Sequence, residues 1–409
     1  MATITMRQLV RRYIGGRLFE YYSQPADRVV GRASSVEKTR LSSLLGEWHW
    51  RRLLQRYYEE REGHWLTPVE LFQPHFSRIL GDFSCHTVEM ARKSGSTPTI
   101  GGDTSWEIIE LGGGRGTNAK LLLSYLQEYK PEMYQQLKYT LVDSSPSLHR
   151  LQQEVLMNTE HANHMEFRLV DLMDVADSST SLLDPSDTPT VVLAMEVLDN
   201  LPHDKVRRGS RKQLQQAEIY RHKNGTEEES FMPLDDPLLS KILQTVPSYV
   251  NPKYPTWIPS VACGIMEHVI RQRPYLGLAF ADFDWLPAPD LIETGNSSRR
   301  SIWGHGEPII TDMDGVDYEC YLQSPPHCDI LFPTDFDKLG SFAKRSLESM
   351  KRVGHVRVEK QADFLQKYGS LHVDQTKSWL TGHTPLLHDF VNCSVLTITT
   401  TTTTDTNNQ

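Results

Sequence analysis

The amino-acid sequence predicts an α/β fold built around a parallel β-sheet. From residue 106 onward, short apolar segments alternate with amphipathic helical segments, a pattern typical of strand–helix–strand units. A glycine-rich turn follows the first apolar segment, at the point where a strand would end and a helix would begin. The chain has 409 residues, which is enough to bury one large core or two modest ones.

The same alternation gives the positions of the individual elements. A final strand is predicted over 393–398, and residues 399–409 contain too few apolar side chains to fold, so this Thr-rich tail is expected to be disordered. The remaining elements are predicted as strands over 106–111, 139–142, 167–170, 191–195 and 276–281, and as helices over 118–129, 147–157 and 261–272.

Two regions precede the tail. Residues 1–95 are expected to form an N-terminal helical region, and residues 96–398 the domain that contains the sheet. The domain carries polar or irregular insertions at about 205–255 and 287–328. An Asn224-Gly225 turn between alternating residues predicts a hairpin in the first insertion.

The first nineteen residues are basic and amphipathic, and no acidic residue occurs before Glu20. A mitochondrial presequence has this composition. The first amphipathic helix of a domain has it too, when the polar face of that helix is basic. The arginines concerned are Arg7, Arg11, Arg12 and Arg17.

Composition argues against several kinds of partner and site. The formal charge is −9, which disfavours a broad surface for nucleic acid. Five scattered cysteines do not make a disulfide framework and favour a reducing compartment. The chain has no run of eighteen apolar residues, so no membrane span is expected. Cys320, His327 and Cys328 lie close in the chain but lack a fourth ligand, so no metal site is expected.

The motif ELGGGRGT at 110–117 carries the chemistry. Glycines at its third, fifth and seventh positions, Gly112, Gly114 and Gly116, allow a tight turn and close approach of a ligand to the backbone. The following helix offers unpaired N–H groups to that ligand.

The spacing of this motif separates two classes of ligand. Dinucleotide sites have G-x-G-x-x-G, whereas E-x-G-x-G-x-G after a strand suits S-adenosylmethionine, so we expect this methyl donor. The Glu110 carboxylate can reach the cationic amino-acid end of the methyl donor through a bridging group or water. Arg115, in the same loop, is assigned to the methyl-donor site.

The ends of the next two strands add candidate residues for the methyl donor. Ligands bind at the carboxyl edge of such a sheet. Asp143 ends the second strand and is suited to accept hydrogen bonds from both ribose hydroxyls. Asp171 follows the third strand and is placed near the adenine amine, with Leu172 against the ring. Either aspartate could instead cap a helix.

The fourth strand ends where the transferred methyl group would emerge. Glu196 and Asp199 are three residues apart and can share one face of a turn. Paired carboxylates suit a cationic nitrogen acceptor such as guanidinium, which they would orient and relieve of a proton. Alternatively, Asp199 caps the following turn. Asp282, after the fifth strand, could line the acceptor pocket or close the core.

These motifs resemble the MidA-type methyltransferases, the family that includes a mitochondrial assembly factor of respiratory complex I. The resemblance also covers the opening segment, which favours a first helix of the domain over a presequence. Gly113 stands where the family has proline, and Met195 replaces an asparagine at the acceptor edge. The matching segments are ITMRQLVRRYIGGRLFEYY near the start, GHWLTPVEL at 63–71, ELGGGRGT at 110–117, VDSSPSL at 142–148, MEVLDNLP at 195–202 and CDILFPTDFDKL at 328–339.

The resemblance implies a Rossmann-like class I S-adenosylmethionine-dependent fold and arginine N-methylation of a partner protein, such as a subunit of complex I. It also implies the mitochondrial matrix, the alternative being the cytoplasm. Two other hypotheses remain. Met195 could mark a non-catalytic assembly factor that keeps the methyl-donor pocket, or the acceptor could be a small molecule; the charged insertion favours a protein.

Overall fold

A computed structural model describes residues 4–31, 39–60, 65–93, 105–286 and 306–401. Its strands are β1 Ile4–Leu9, β2 Trp106–Leu111, β3 Leu137–Asp143, β4 Met165–Leu169, β5 Thr190–Met195, β6 Asp204–Arg208, β7 Leu214–His222, β8 Glu227–Pro233, β9 Thr256–Ile258, β10 Leu276–Phe283, β11 Ile309–Thr311, β12 Asp329–Leu331, β13 Val353–Lys360 and β14 Cys393–Thr401.

Helices alternate with the strands from β2 to β4 and also lie before and after this part of the chain. They are α1 Val10–Tyr22, α2 Ala26–Val29, α3 Glu47–Glu60, α4 Pro68–Leu71, α5 His75–Lys93, α6 Thr117–Tyr129, α7 Pro131–Gln135, α8 Pro146–Leu156, α9 Leu172–Ala176, α10 Pro237–Thr245, α11 Ser260–Gln272, α12 Phe336–Ser349, α13 Gln361–Asp374 and α14 Pro385–His388.

The main sheet confirms the predicted α/β class. Seven strands lie in the order β13-β14-β10-β5-β2-β3-β4. The five strands from β10 to β4 are parallel to one another, and β14 runs antiparallel to both of its neighbours. The carboxyl ends of β2, β3 and β5 therefore meet at one edge, where such sheets bind ligands.

Apolar side chains on both faces of the central strands explain why these strands are buried. Val192 and Ala194 of β5 belong to a core on the side of α11 and α12, whereas Val191 and Leu193 belong to a core on the side of α5 and α6. Successive side chains of a strand point to opposite faces, so a strand covered on both sides is apolar throughout.

The first insertion forms a second, antiparallel sheet. The predicted hairpin is present as β7 and β8, joined through the turn that contains Gly225. The N-terminal strand β1 pairs with β7, with Arg7 opposite Tyr220. The opening segment is thus a strand over Ile4–Leu9 followed by a helix from Val10, and the expectation that the domain opens with an amphipathic helix was wrong for residues 4–9. The apolar residues of β1 pair with a strand that lies some 200 positions away.

The chain end also differs from its prediction. Strand β14 continues to Thr401, so the first residues of the tail, expected to be disordered from position 399, extend the sheet. They pair with β13, where Val353 lies opposite Thr401. Residues 94–104, which span the expected boundary between the two regions, and residues 287–305, within the second insertion, lie outside the described residues.

The four N-terminal arginines all contact the folded body. Arg7 pairs with Glu218, Arg12 pairs with Asp174 and Asp177, and Arg17 donates to the carbonyl oxygen of Ser324. Their contacts make β1 and α1 part of the fold.

Arg11 is the most buried of the four, with 3% of its side chain exposed. Its guanidinium donates to Asp204 at 2.8 Å, Asp177 at 2.9 Å and Asp236 at 2.7 Å. It therefore joins α1 to β6, α9 and α10. Within the described ranges, no helix is long and apolar enough to cross a membrane.

Replacing Arg11 with methionine is expected to lower the free energy of unfolding by about 3–5 kcal/mol, because buried carboxylates lose their cation. Chemical denaturation measures this change. Arg345→Ala on the exposed face of α12 is the control and should cost less than about 0.5 kcal/mol. Equal stability of Arg11→Met and wild type would contradict the structural role of α1.

Candidate active site

A cavity of about 1460 Å³ opens at the carboxyl ends of β2, β3 and β5. It extends from the glycine loop to the turn after β5, so one cavity joins the predicted methyl-donor and acceptor sites. Of the predicted site residues, all but Gly116 line it: Glu110, Gly112, Gly114, Arg115, Asp143, Asp171, Leu172, Glu196 and Asp199.

The glycine loop has the backbone that its sequence predicts. Gly112, Gly114 and Gly116 have φ angles of +65°, +52° and +83°, in the left-handed region that favours glycine. A Cβ atom on Gly112 would lie 2.7 Å from the Cγ2 atom of Val197. Gly116 is the N-cap residue of α6 and lies behind the loop, where its Cβ would approach Leu156.

Gly113, which stands where the family has proline, packs closely against the neighbouring strand β3. A Cβ atom at this position would lie 2.4 Å from Cδ2 of Leu141, which is fully buried. The leucine of β3 thus occupies the space that a side chain in the loop would need.

Glu110 orients a neighbouring amide. Its Oε1 accepts from Nδ2 of Asn118 and its Oε2 from the hydroxyl of Tyr139, both at 2.8 Å. Asn118 Oδ1 consequently points away from Glu110; it is buried and accepts no hydrogen bond from the described residues. Asn118 lines the cavity, so its amide is a candidate for the bridging group predicted between Glu110 and the ammonium of the methyl donor. Sequence reasoning missed Asn118, although it stands in the first turn after the motif.

Two hydrogen bonds from the protein hold the carboxylate of Asp143. Its Oδ1 accepts from the N–H of Ser145 at 2.8 Å and its Oδ2 from Nε2 of Gln152 at 2.9 Å. Burial raises the pKa of Asp143 to about 6, and these hydrogen bonds oppose the rise. Each carboxylate oxygen has a further lone pair, so the arrangement leaves room for the predicted ribose hydroxyls.

Asp171 and Leu172 begin α9. Asp171 Oδ1 accepts from the N–H of Met173 at 2.8 Å, which is the capping alternative considered from the sequence. The residue also lines the cavity, as does the buried Leu172, so capping and ligand contact are compatible.

Arg115 binds the segment that covers the loop. Its Nη1 donates to Asp27 Oδ1 at 2.7 Å and to the carbonyl oxygen of Val30 at 3.3 Å. Ser145 Oγ donates to the carbonyl oxygen of Tyr22 at 2.6 Å. These contacts hold residues 22–30 against the methyl-donor side of the cavity, which Tyr22 and Val30 line.

Four carboxylates gather at the acceptor side: the half-buried Glu196 and the buried Asp199 after β5, and the buried Asp282 in β10 and Asp329 in β12. Burial raises the pKa of all four, to about 6 for Asp282 and about 7 for Asp329. Neighbouring acids raise those of Glu196 and Asp199 further. No basic side chain of the described residues forms an ion pair with any of them.

Two of these acids are satisfied by the protein. Asp282 accepts from the N–H groups of Asp199 at 3.0 Å and Phe283 at 2.7 Å. Asp329 accepts from Nε1 of Trp65 at 2.8 Å and Nδ2 of Asn200 at 2.9 Å. Both acids therefore stabilise the turn after β5, Asp282 through the N–H of Asp199 and Asp329 through the side-chain amide of Asn200.

Each of the other two acids has a carboxylate oxygen without a hydrogen-bond partner among the described residues. Asp199 Oδ1 is buried without a hydrogen-bond partner among the described residues. The carboxylate of Glu196 likewise accepts no hydrogen bond from them. Glu196 also has a φ of +55°, uncommon for a residue with a side chain. Its N–H donates to the carbonyl oxygen of Ala281, which fixes this backbone. Strain held in this way is typical of functional positions.

The sequence did not identify Asp329, Trp65 or Asn200 as parts of this site. The segment that contains Asp329 was noticed only as a match to the family. Trp65 and Asn200 donate hydrogen bonds to Asp329, from which each is separated by more than one hundred residues in the chain. Asn200 also accepts a hydrogen bond from the Tyr22 hydroxyl at 2.6 Å. No group of three or more potential ligands in the described ranges is arranged to hold a metal ion.

An Asp329→Asn variant tests the electrostatics of this cluster. The wild-type pKa of about 7 exceeds the unfolded value, so ionisation lowers wild-type stability as pH rises from about 4 to about 7. The variant lacks this titration. Its free energy of unfolding, relative to wild type, is expected to rise by about 2 kcal/mol between pH 5 and pH 8.

Chemical denaturation at the two pH values measures this difference. Asp337→Asn, at an exposed position of α12, is the control and should show no comparable change. A difference between Asp329→Asn and wild type that stays constant with pH would contradict the raised pKa.

Comparison with solved structures supports this fold. A Burkholderia thailandensis protein crystallised with S-adenosyl-homocysteine has a TM-score of 0.63 and 15% identity, covering 96% of this chain and 88% of its own. A native crystal structure of an uncharacterised protein from the same organism has a TM-score of 0.61 and 15% identity, covering 96% and 87%. A search of curated proteins found no match.

A family model assigns the chain directly. The family described as "Putative S-adenosyl-L-methionine-dependent methyltransferase" matches residues 86–355, which include the glycine loop and the acidic cluster. The resemblance to MidA-type proteins and the expected cofactor are thereby confirmed. The chain belongs to the MidA-type family of S-adenosylmethionine-dependent methyltransferases.

Proposed function

We propose that this methyltransferase transfers a methyl group to an arginine side chain of a partner protein. The observation that carries the proposal is the pair of carboxylates Glu196, half-buried, and Asp199, buried, which lie beside two further acids and form no ion pair with a cation of the described residues. Buried charges are costly unless they are paired. A guanidinium entering the cavity would supply the missing cation and up to five N–H donors.

The composition of the cavity wall supports a cationic acceptor. Ten acidic residues line the cavity, against two arginines. Each arginine is paired with an acid that lies outside the lining, Arg51 with Glu47 and Arg115 with Asp27. The lining therefore offers several carboxyl groups to a cation, and neither of its arginines lacks an acidic partner.

The residues can also perform the proton transfer that the reaction needs. When bound, S-adenosylmethionine supplies a methyl group on a sulfonium, and the carbon–sulfur electron pair stays on the sulfur. Glu196 and Asp199 would orient the guanidinium nitrogen toward that methyl group and accept the proton that the nitrogen loses. The raised pKa of both carboxyl groups makes their carboxylates stronger proton acceptors than ordinary surface acids.

The partner and the compartment are proposed on the family resemblance alone. We propose a subunit of respiratory complex I as the acceptor protein and the mitochondrial matrix as the compartment. The arginine-rich start does not decide the compartment, because its arginines serve the fold.

Glu196→Gln and Asp199→Asn test the acceptor assignment. The probe is an acetylated, amidated nine-residue peptide with a central arginine, leucines two positions to either side and glycine or serine elsewhere. We expect each variant to lower kcat/KM for this arginine peptide by at least about 100-fold, because it loses a carboxylate that orients and deprotonates the acceptor. Tritium transfer from S-adenosylmethionine measures the rate.

Both variants should bind S-adenosylmethionine within about threefold of wild type by calorimetry. Glu348→Gln, at an exposed position of α12, is the control for both measurements. Wild-type protein that binds S-adenosylmethionine but methylates a lysine version of the peptide in preference to the arginine peptide would contradict the proposal.

Gly114→Val tests the methyl-donor site separately. Valine strains the backbone at a φ of +52° and places a branched side chain between the loop and Val30. We expect calorimetry to show at least about tenfold weaker binding of S-adenosylmethionine. Gly225→Val controls for backbone strain, because Gly225 has a φ of +83° in the hairpin turn, with no atom near its Cβ position. Loss of binding in both variants, or in neither, would contradict the assignment.

A further inference from the structure

Three of the apolar side chains that line the cavity are exposed to solvent. Phe19, Val316 and Val391 line the cavity, and 52%, 51% and 63% of their respective surfaces are exposed. Isolated exposed apolar residues are common on protein surfaces. These three come from α1, from the segment between β11 and β12, and from the segment between α14 and β14, yet they line one cavity.

The backbone at each position is held in place. Val316 exchanges hydrogen bonds with Asp312, whose Oδ1 accepts from the Val316 N–H at 2.9 Å. Next to Val391, the ring of Phe390 packs on Phe72 with centroids 5.8 Å apart. The exposed apolar surface is therefore a built feature of an ordered rim.

The rim and the acids after β5 differ in exposure and in chemistry. The rim, defined as Phe19, Val316 and Val391, consists of exposed apolar side chains, whereas Glu196 is half-buried and Asp199 is buried. An acceptor that satisfies both parts has a cationic group on a long stem and apolar groups beside that stem. A small cationic acceptor would be enclosed by the acids and would leave the rim uncovered.

We propose that the rim docks a segment of the acceptor protein whose methylated arginine has apolar side chains on either side. This proposal rests on arginine methylation at the same site. In an extended segment, the side chains two positions before and after the arginine point to the same side as the arginine. Those side chains contact the rim when the guanidinium reaches Glu196 and Asp199.

Two peptides test this docking. The first is the arginine peptide with leucines two positions to either side of the arginine, and the second has serine in place of both leucines. Binding to the complex with S-adenosyl-homocysteine is measured by calorimetry. Wild-type protein is expected to bind the leucine peptide at least about tenfold more tightly, since burial of apolar surface favours binding.

The double variant Val316→Ser/Val391→Ser should reduce this preference to less than about threefold. Both residues lie at the rim, so binding of S-adenosyl-homocysteine should stay within about threefold of wild type. Leu371→Ser is the matched control, because Leu371 is 75% exposed on α13 and does not line the cavity. This control should keep the tenfold preference.

Equal affinity of wild-type protein for the two peptides, with both methylated, would overturn the docking proposal and leave arginine methylation standing. An unchanged preference in the double variant would also overturn it. If neither peptide binds to protein saturated with S-adenosyl-homocysteine, both the docking and the proposed arginine acceptor are contradicted.

Discussion

The rest of the site depends on four carboxylates, three buried and one half-buried, that lie together without a cation from the described residues. In isolation such a cluster would be strongly unfavourable, and the protein accommodates it by raising the pKa of every member. Backbone N–H groups, an indole and an amide stabilise Asp282 and Asp329, which leaves Glu196 and Asp199 open to the cavity. The unfavourable free energy of placing these acids together would be reduced by a cationic substrate bound next to Glu196 and Asp199.

The N-terminal segment completes this site from the opposite side. Arg11 fixes α1 to three other elements through buried ion pairs. At the other end of α1, Tyr22 contacts Asn200, which in turn donates to Asp329. Residues 22–30 also contact the glycine loop through Arg115. One short segment therefore touches both the methyl-donor side and the acceptor side of the cavity, so the segment's packing and the geometry of the site are linked.

The sequence predicts the parts of the protein that depend on local patterns. The central strands, the glycine loop and the acids at strand ends follow from periodicity and spacing, because each signal lies within a few residues. Strand β1 was missed because its partner β7 lies some 200 residues away. Trp65, Asn200 and Asn118 were missed because their roles arise from the carboxylates that they orient, and tertiary packing sets those contacts.

The central claim is that a guanidinium provides the cation that the buried acids lack. At pH 6.5, Asp282 and Asp329, whose pKa values are raised to about 6 and about 7, are partly protonated, and a cation bound to the cluster lowers the pKa of its acids. Calorimetry of the arginine peptide binding to the complex with S-adenosyl-homocysteine, in buffers of different ionisation enthalpy, counts the protons exchanged. Net proton release on binding is the result the account predicts. Binding without release, or with proton uptake, would contradict it.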